Sequence, residues 1–486
     1  MNRRIRQVAV AVLIMFAALL INSNVVQVVE ASGLKANPHN VRVLYSEYSH
    51  QRGPIVAASR NVAQSVATND TLKYLRTYPG GGEYAPITGY YSLVIGSSGL
   101  EQVEDPVLAG TSDQLFFKRL SDEITGRTPQ GGSVVLTVDP RAQRAAYDGL
   151  HGLRGAVVAL DPSTGAVLAM ASSPSYDPST LTTHHPLQIT RTYHQLLHDP
   201  GNPLLNRAIS QSYPPGSLFK VVTASAAFSS GRFTPNTVVQ SPSALRLPLT
   251  NTYLHNFGGE TCGNGQTSTV ADAFRISCNT AFANIGLSVG INALARQARA
   301  FGIGSSLKIP LPVAASQFAA NANRPNTALS AIGQYDDALT PLQAAMIGAT
   351  IANGGTQMKP YIVAETRAPD ASVLSRTTPQ VLRQAVSPQV ASAVTSLMEL
   401  VVSHGTGTAA QIPGITVAGK TGTAQHGTAS QHLPPDAWFV SFAPAEHPKI
   451  AVAVLVEDGG SLGSDATGGA VAAPIAKSVM CAVLGC

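Results

Sequence analysis

Tyr213-Pro214-Pro215-Gly216-Ser217-Leu218-Phe219-Lys220, running on into Val221-Val222-Thr223-Ala224-Ser225-Ala226-Ala227-Phe228, is the stretch that decides the fold. Two prolines and a glycine end whatever precedes them and set Ser217 where a helix can begin. No proline or glycine comes after them until Gly231, so the helix can continue. Residues three apart share a helix face, which puts Lys220 under the Ser217 hydroxyl one turn on. A serine with an amine in reach pairs a nucleophile with a candidate base. The amides of the helix N-terminus add a positive field for an oxyanion.

The pattern S-x-x-K is weak by itself. Ser305-Ser306-Leu307-Lys308 repeats it, but Ile309-Pro310 comes next, and a residue before proline avoids helical geometry. This second copy reads as loop or short strand. Ser217 stands apart because two further motifs come after it in order: Ser277-Cys278-Asn279, then Lys420-Thr421-Gly422-Thr423 on an expected strand. Each alone is bland, since Ser and Asn are favoured helix caps and Lys-Thr-Gly is an ordinary strand end with a glycine bulge. His194 and His198 share a helical face, yet no third clustered ligand accompanies them. They read as surface or packing residues, and no metal or other cofactor is expected.

The flanking pattern supplies a scaffold. Runs at 156–160 and 166–170 flank Asp161-Pro162-Ser163-Thr164-Gly165, a hairpin turn. From 268 to 355 the reading is mostly helical, with helices at 270–275, 281–289, 291–300 and 341–351. Strands return at 416–424, 437–442 and 450–456, and an apolar helix spans 472–484. The order predicts one α+β domain over 152–486, with an antiparallel five-stranded sheet and helices on both faces. Residues 30–151 mix short strand-like runs, a helix-like segment at 114–123 and a strand at 134–138. They carry no nucleophile–base pair, phosphate loop or metal spacing.

Of the 486 residues, 44% are hydrophobic and only 12% charged, with 43 Gly and 32 Pro, which suits a loop-rich, globular, exported protein. The net charge of +5 is scattered beyond the first six residues, so nucleic acid is not an expected partner. Arg3, Arg4 and Arg6 precede an apolar run from Val8 to Ile21, which Asn22-Ser23-Asn24 interrupt and Val25 to Val29 resumes. Together the two parts reach the ~20 residues a membrane span needs. A cleaved signal peptide is the alternative, but no clear A-x-A site is present after the run. Residues 1–29 therefore read as an anchor with its basic end in the cytoplasm and the rest of the chain outside. Four cysteines permit three pairings. Cys262–Cys278 is expected because Cys262 lies in a glycine-rich loop, and Cys481–Cys486 would close a small terminal loop. Free, partly buried thiols are the alternative.

In this order the three motifs resemble the signature of penicillin-binding proteins and class A β-lactamases. The whole chain is similar to a class B penicillin-binding protein of the short actinobacterial type. Asp436-Ala437-Trp438-Phe439, Thr340-Pro341-Leu342-Gln343 and Ala352-Asn353-Gly354-Gly355 resemble further landmarks of that family. Trp438 reads as core beside the third motif. The resemblance implies a serine transpeptidase/β-lactamase-like domain, an N-terminal non-catalytic pedestal of dimerisation type, and a membrane anchor.

It also implies the roles. Ser217 would attack the penultimate D-Ala carbonyl of peptidoglycan stem pentapeptides ending in D-Ala-D-Ala. Lys220 would take the serine proton, with Lys420 lowering its pKa. Ser277 would relay a proton toward the leaving amine, and Asn279 would hold the substrate amide. Lys420, Thr421 and Thr423 would bind the terminal carboxylate, with Gly422 letting substrate backbone lie close. The amides of Ser217 and Thr423 would form the oxyanion hole. β-Lactams would acylate Ser217, and division or elongation proteins would be partners. A D,D-carboxypeptidase, or a non-hydrolytic β-lactam receptor serving as a division scaffold, are the alternatives. No Glu-x-x-x-Asn-type motif stands after Ser277 to support a class A lactamase. The chain departs from its relatives at Gly333-Gln334-Tyr335-Asp336-Asp337, where a shorter Gly-Gln-Gly is common.

Overall fold

The computed structural model describes residues 2–30, 48–426 and 433–486, apart from 117–119, 121–123, 127 and 129. In chain order come α1 (Asn2–Asn24), β1 (Ile55–Ala57), β2 (Arg60–Ala67), β3 (Tyr74–Thr77), β4 (Ser133–Leu136) and α2 (Pro140–Gly149). Next are β5 (Gly155–Leu160), β6 (Val167–Ser173), α3 (Lys220–Ser229), α4 (Asn279–Val289) and α5 (Pro341–Ala352). The last are β7 (Val363–Arg367), β8 (Val373–Arg376), α6 (Pro388–His404), β9 (Ala418–Ala424), β10 (Asp436–Ala443), β11 (Ile450–Val456) and α7 (Ala473–Leu484).

α1 and the Val25–Val29 turn that extends it include one helix, Arg3–Gln27, long and apolar enough to cross a membrane. Asn22-Ser23-Asn24 do not break it; Asn24 Nδ2 donates back to Leu20 O at 2.8 Å.

The five-stranded sheet runs β9-β10-β11-β5-β6, antiparallel throughout, as expected. Every residue of β5, β10 and β11 is buried, because helices cover both faces. Strand side chains alternate, so Ala156, Val158 and Leu160 join one core with Val221 and Val222 of α3 and Leu342 and Met346 of α5. Val157 and Ala159 join the other with Ala142 and Ala146 of α2 and Val479 and Met480 of α7. Thus α2, which precedes the expected boundary at 152, shares its core with the five-stranded sheet.

A second sheet runs β8-β7-β4-β1-β2-β3. β1 and β4 are parallel; β7 is antiparallel to β4, with Thr366 opposite Val134. The chain between α5 and α6 therefore returns to complete the N-terminal sheet, although strands were expected to return only at 416. Of the helix-like segment at 114–123, the single turn Asp113–Leu115 is described, and much of the remainder lies outside the described residues.

Candidate active site

Ser217 sits in a 3₁₀ turn, Gly216–Phe219, that feeds directly into α3. The helix forms as expected, but its entry is tighter than α-helical. Side chains three apart eclipse in 3₁₀ geometry, which keeps Ser217 and Lys220 on one side of the chain. Gly216 has φ 51°, and a Cβ there would lie 2.7 Å from Thr423 O, so glycine lets the turn close on β9. Gly216 N donates to Gly333 O at 2.9 Å, and Trp438 Nε1 to Pro214 O at 3.0 Å. Tyr213 Oη donates to Glu457 Oε1 at 2.8 Å, and Arg207 Nε donates to the same oxygen at 2.8 Å. Trp438 is fully buried beside β9, as its reading as core requires.

The second motif occupies the bend between helix Val270–Arg275 and α4. Ser277 adopts φ 65°, a left-handed conformation unfavourable for a residue with a Cβ. Such conformations persist where surrounding bonds over-determine them. Here Ser277 N donates to Phe274 O at 3.1 Å and Cys278 N to Ala273 O at 2.7 Å. Cys278 is bridged to Cys262, and Cys481 to Cys486, so both expected pairs are present. The first bridge ties the Cys262 loop to the second motif.

Lys220 and Lys420 are fully buried and converge on Ser277. Lys220 Nζ donates to Ser277 O at 2.6 Å, Asn279 Oδ1 at 2.8 Å and Ser277 Oγ at 3.3 Å. Lys420 Nζ donates to Ser277 Oγ at 2.9 Å and Thr421 O at 3.0 Å. Burial pulls the Lys220 amine well below the usual lysine range, and the Lys420 charge lowers it further. Burial alone brings Lys420 down to about 7. The acceptors around each Nζ favour the charged form, and burial outweighs them. An amine kept neutral near neutral pH can accept a hydroxyl proton.

The partners of two residues differ from the roles expected of them. Lys220 makes its hydrogen bonds to the second motif and none to Ser217 among the described residues. The Asn279 amide, expected to hold substrate, takes Lys220 on Oδ1 and donates from Nδ2 to His255 O at 3.2 Å. In this arrangement the base and the amide holder are engaged with each other. Gly422 also serves a different neighbour. A Cβ there would lie 2.8 Å from Trp438 Cβ and 2.9 Å from Pro215 O, so the missing side chain makes room for the Ser217 turn.

Ser217, Ser277, Asn279, Thr421 and Thr423 line one cleft of about 1310 Å³. Tyr335, from the divergent 333–337 segment, lines it too, at φ 73°. Nearby Asp337 is buried, and its carboxyl is pushed up to about 8 by that burial. The second S-x-x-K copy ends in the short strand Leu307–Lys308, with Lys308 exposed. His194 and His198 sit exposed on helix Pro186–His198 and do not line the cleft.

Sequence reasoning missed three contributors. Thr406 Oγ1 lies 2.6 Å from Thr421 Oγ1; only the Gly405-Thr406-Gly407-Thr408 turn signal marked it. Glu457 holds the Tyr213 end of the nucleophile stretch, yet comes just after β11 with no local motif. His426 lines the cleft two residues beyond β9.

Residues 155–481 match the penicillin binding protein transpeptidase domain family, and residues 52–134 match the penicillin binding protein A dimerisation domain family. The chain is 49% identical to the peptidoglycan D,D-transpeptidase PbpA of Mycolicibacterium smegmatis, covering 100% of this chain and 99% of that protein. It is 47% identical to PbpA of Mycobacterium tuberculosis, with the same coverage. Its structure is similar to penicillin-binding protein A of M. tuberculosis solved as a ceftriaxone acyl-enzyme complex. That match has a TM-score of 0.88 at 46% identity, over 90% of this chain and 100% of the other. The penicillin G acyl-enzyme complex of the same protein gives 0.86 at 47% identity, over the same shares.

Proposed function

The chain belongs to the class B penicillin-binding protein transpeptidase family, and from that membership we infer its chemistry residue by residue. It is a peptidoglycan D,D-transpeptidase that works through a serine acyl-enzyme and binds β-lactams. Ser217 Oγ attacks the penultimate D-Ala carbonyl and gives up its proton toward Lys220. A carbon–oxygen ester forms, the carbon–nitrogen bond breaks, and terminal D-Ala leaves with a proton relayed through Ser277. The amine of a neighbouring stem then attacks the ester, forms the cross-link and returns Ser217. The amides of Ser217 and Thr423 hold the oxyanion in both steps, a role in which one lost donor costs about 3–4 kcal/mol. Lys420, Thr421 and Thr423 take the terminal carboxylate.

The observation that carries this reading is the convergence of two buried lysines on Ser277 in the cleft that Ser217 lines. For the expected Lys220–Ser217 contact to form, the neutral amine must free for its lone pair one of the positions now facing Ser277 O, Asn279 Oδ1 and Ser277 Oγ, and entry of substrate beside Asn279 supplies the occasion.

α1 anchors the protein, with Arg3, Arg4 and Arg6 on the cytoplasmic side and the catalytic domain outside. The N-terminal sheet serves as a pedestal and pairing domain, and division or elongation proteins dock there. Incubation of the solubilised chain with glycan strands bearing pentapeptide stems, and then product mass analysis, tests the reaction. Cross-linked dimers with free D-Ala are expected; tetrapeptide monomers alone would make it a carboxypeptidase. Loss of both products in Ser217→Ala assigns them to this serine.

A further inference from the structure

His426, Asp436 and Asp458 meet at the edge of the cleft from three separate places in the chain. His426 lies just past β9, Asp436 opens β10 directly opposite Ala424, and Asp458 stands at φ 52° in the turn after β11. His426 Nε2 lies 3.4 Å from Asp436 Oδ1 and 3.3 Å from Asp458 Oδ1, and one ligand atom from each residue falls within 4.8 Å of the others. Nε2 is buried and, among the described residues, has no hydrogen-bond partner.

These separations are long for charge-assisted hydrogen bonds, which run at about 2.7–2.9 Å. They suit a shared ion better. The edge of a tetrahedron is about 1.63 times the centre-to-corner distance, so bonds of about 2.0–2.1 Å, those of Zn²⁺ to His and carboxylate, give edges of about 3.3–3.4 Å.

The charges around the cluster also leave room for a cation. Glu457, next in the chain, is held by Arg207 Nε at 2.8 Å and Arg154 Nη2 at 2.9 Å. Asp458 Oδ2 is 3.6 Å from Arg154 Nη1, which leaves its Oδ1 to face His426. Asp436 is buried and, among the described residues, forms no ion pair with lysine or arginine.

We propose that His426 Nε2, Asp436 Oδ1 and Asp458 Oδ1 form a binding site for one divalent cation of the Zn²⁺ class, at the end of β9 beside the acyl-transfer cleft. Three protein ligands leave a fourth position for water or a carboxylate. The ion would join the end of β9, the start of β10 and the turn after β11 into one wall of the cleft. The site is distinct from Ser217, Lys220 and Ser277, and its existence does not depend on their chemistry.

The test uses the detergent-solubilised full chain, stripped with chelator and titrated with Zn²⁺ by calorimetry and with Co²⁺ by visible absorption. One Zn²⁺ per chain and a tetrahedral Co²⁺ spectrum abolished by Zn²⁺ are expected. His426→Ala and Asp458→Asn should each weaken Zn²⁺ binding by about tenfold or more while the circular dichroism stays native. Asp458→Asn keeps the size of a partly exposed side chain, so it guards against misfolding in the other variant. His194→Ala, on the exposed helix, should change nothing. Absence of Zn²⁺ uptake by the wild-type chain would overturn the proposal. Uptake that survives both variants, or that His194→Ala removes, would overturn it as well by placing the ion elsewhere.

Discussion

Lys420 Nζ donates to Ser277 Oγ at 2.9 Å, and this one bond joins the second and third motifs across the cleft. The same hydroxyl receives Lys220 at 3.3 Å, so Ser277 is the point where both amines can exchange a proton. Ser277→Ala should leave the fold intact and slow acylation by about 10²-fold or more. Ser277→Gly separates chemistry from packing. Glycine adopts φ 65° without strain, so its melting temperature should exceed that of the alanine variant, which lacks the same hydroxyl, while acylation falls equally in both. Stopped-flow acylation by a chromogenic β-lactam, paired with thermal denaturation, reads both.

Lys420 makes stability depend on pH with a definite sign. Its folded-state value of about 7 lies below the usual 10.5, so between these values the unfolded chain binds the extra proton. Stability then rises with pH across that window. Below about pH 7 both states are protonated and the folded chain bears the full cost of a buried charge. Lys420→Met removes the effect. The stability difference, variant minus wild type, should be largest near pH 7 and shrink toward pH 10, as denaturant titrations at several pH values would reveal.

Gly422 sets the distance between β9 and the Ser217 turn. A methyl group there meets Trp438 Cβ at 2.8 Å and Pro215 O at 2.9 Å, and neither neighbour is free to withdraw. Gly422→Ala should cost about 1–3 kcal/mol of stability, the range for overpacking. It should also slow acylation, because the third motif moves off the nucleophile. Unchanged acylation would mean that this spacing does not matter to the reaction.

The Cys262–Cys278 bridge spans a sequence separation of 16. A loop of that size gives about 3 kcal/mol in the chain-entropy model. The double variant Cys262→Ser/Cys278→Ser should lose about that much in urea denaturation, compared with the oxidised wild type.

The elements legible in the sequence were those with a local signal. β5, β6, β9, β10 and β11 are apolar, β-branched runs between turn residues, and the hairpin at Asp161–Gly165 announced itself through Pro162 and Gly165. The three motifs were readable because acyl transfer constrains residue type and spacing, and the structure does bring Ser217, Ser277, Asn279, Thr421 and Thr423 to one cleft. Pairings across long separations were not readable. β7 completes the N-terminal sheet by pairing with β4, Thr366 opposite Val134, and nothing in either short segment names the other. The same holds for Glu457 under Tyr213 and for His426 between Asp436 and Asp458. Lys220 facing Ser277 and Asn279 was hidden for another reason: sequence spacing gives the side of a turn, while hydrogen-bond partners depend on which acceptors the fold brings close.

The most direct test of the central claim is the intact mass of the solubilised chain before and after excess penicillin, alongside Ser217→Ala. A single stable adduct that the mutation abolishes is the predicted result. No adduct on the wild type, or an adduct of equal yield on Ser217→Ala, would contradict Ser217 as the nucleophile of this cleft.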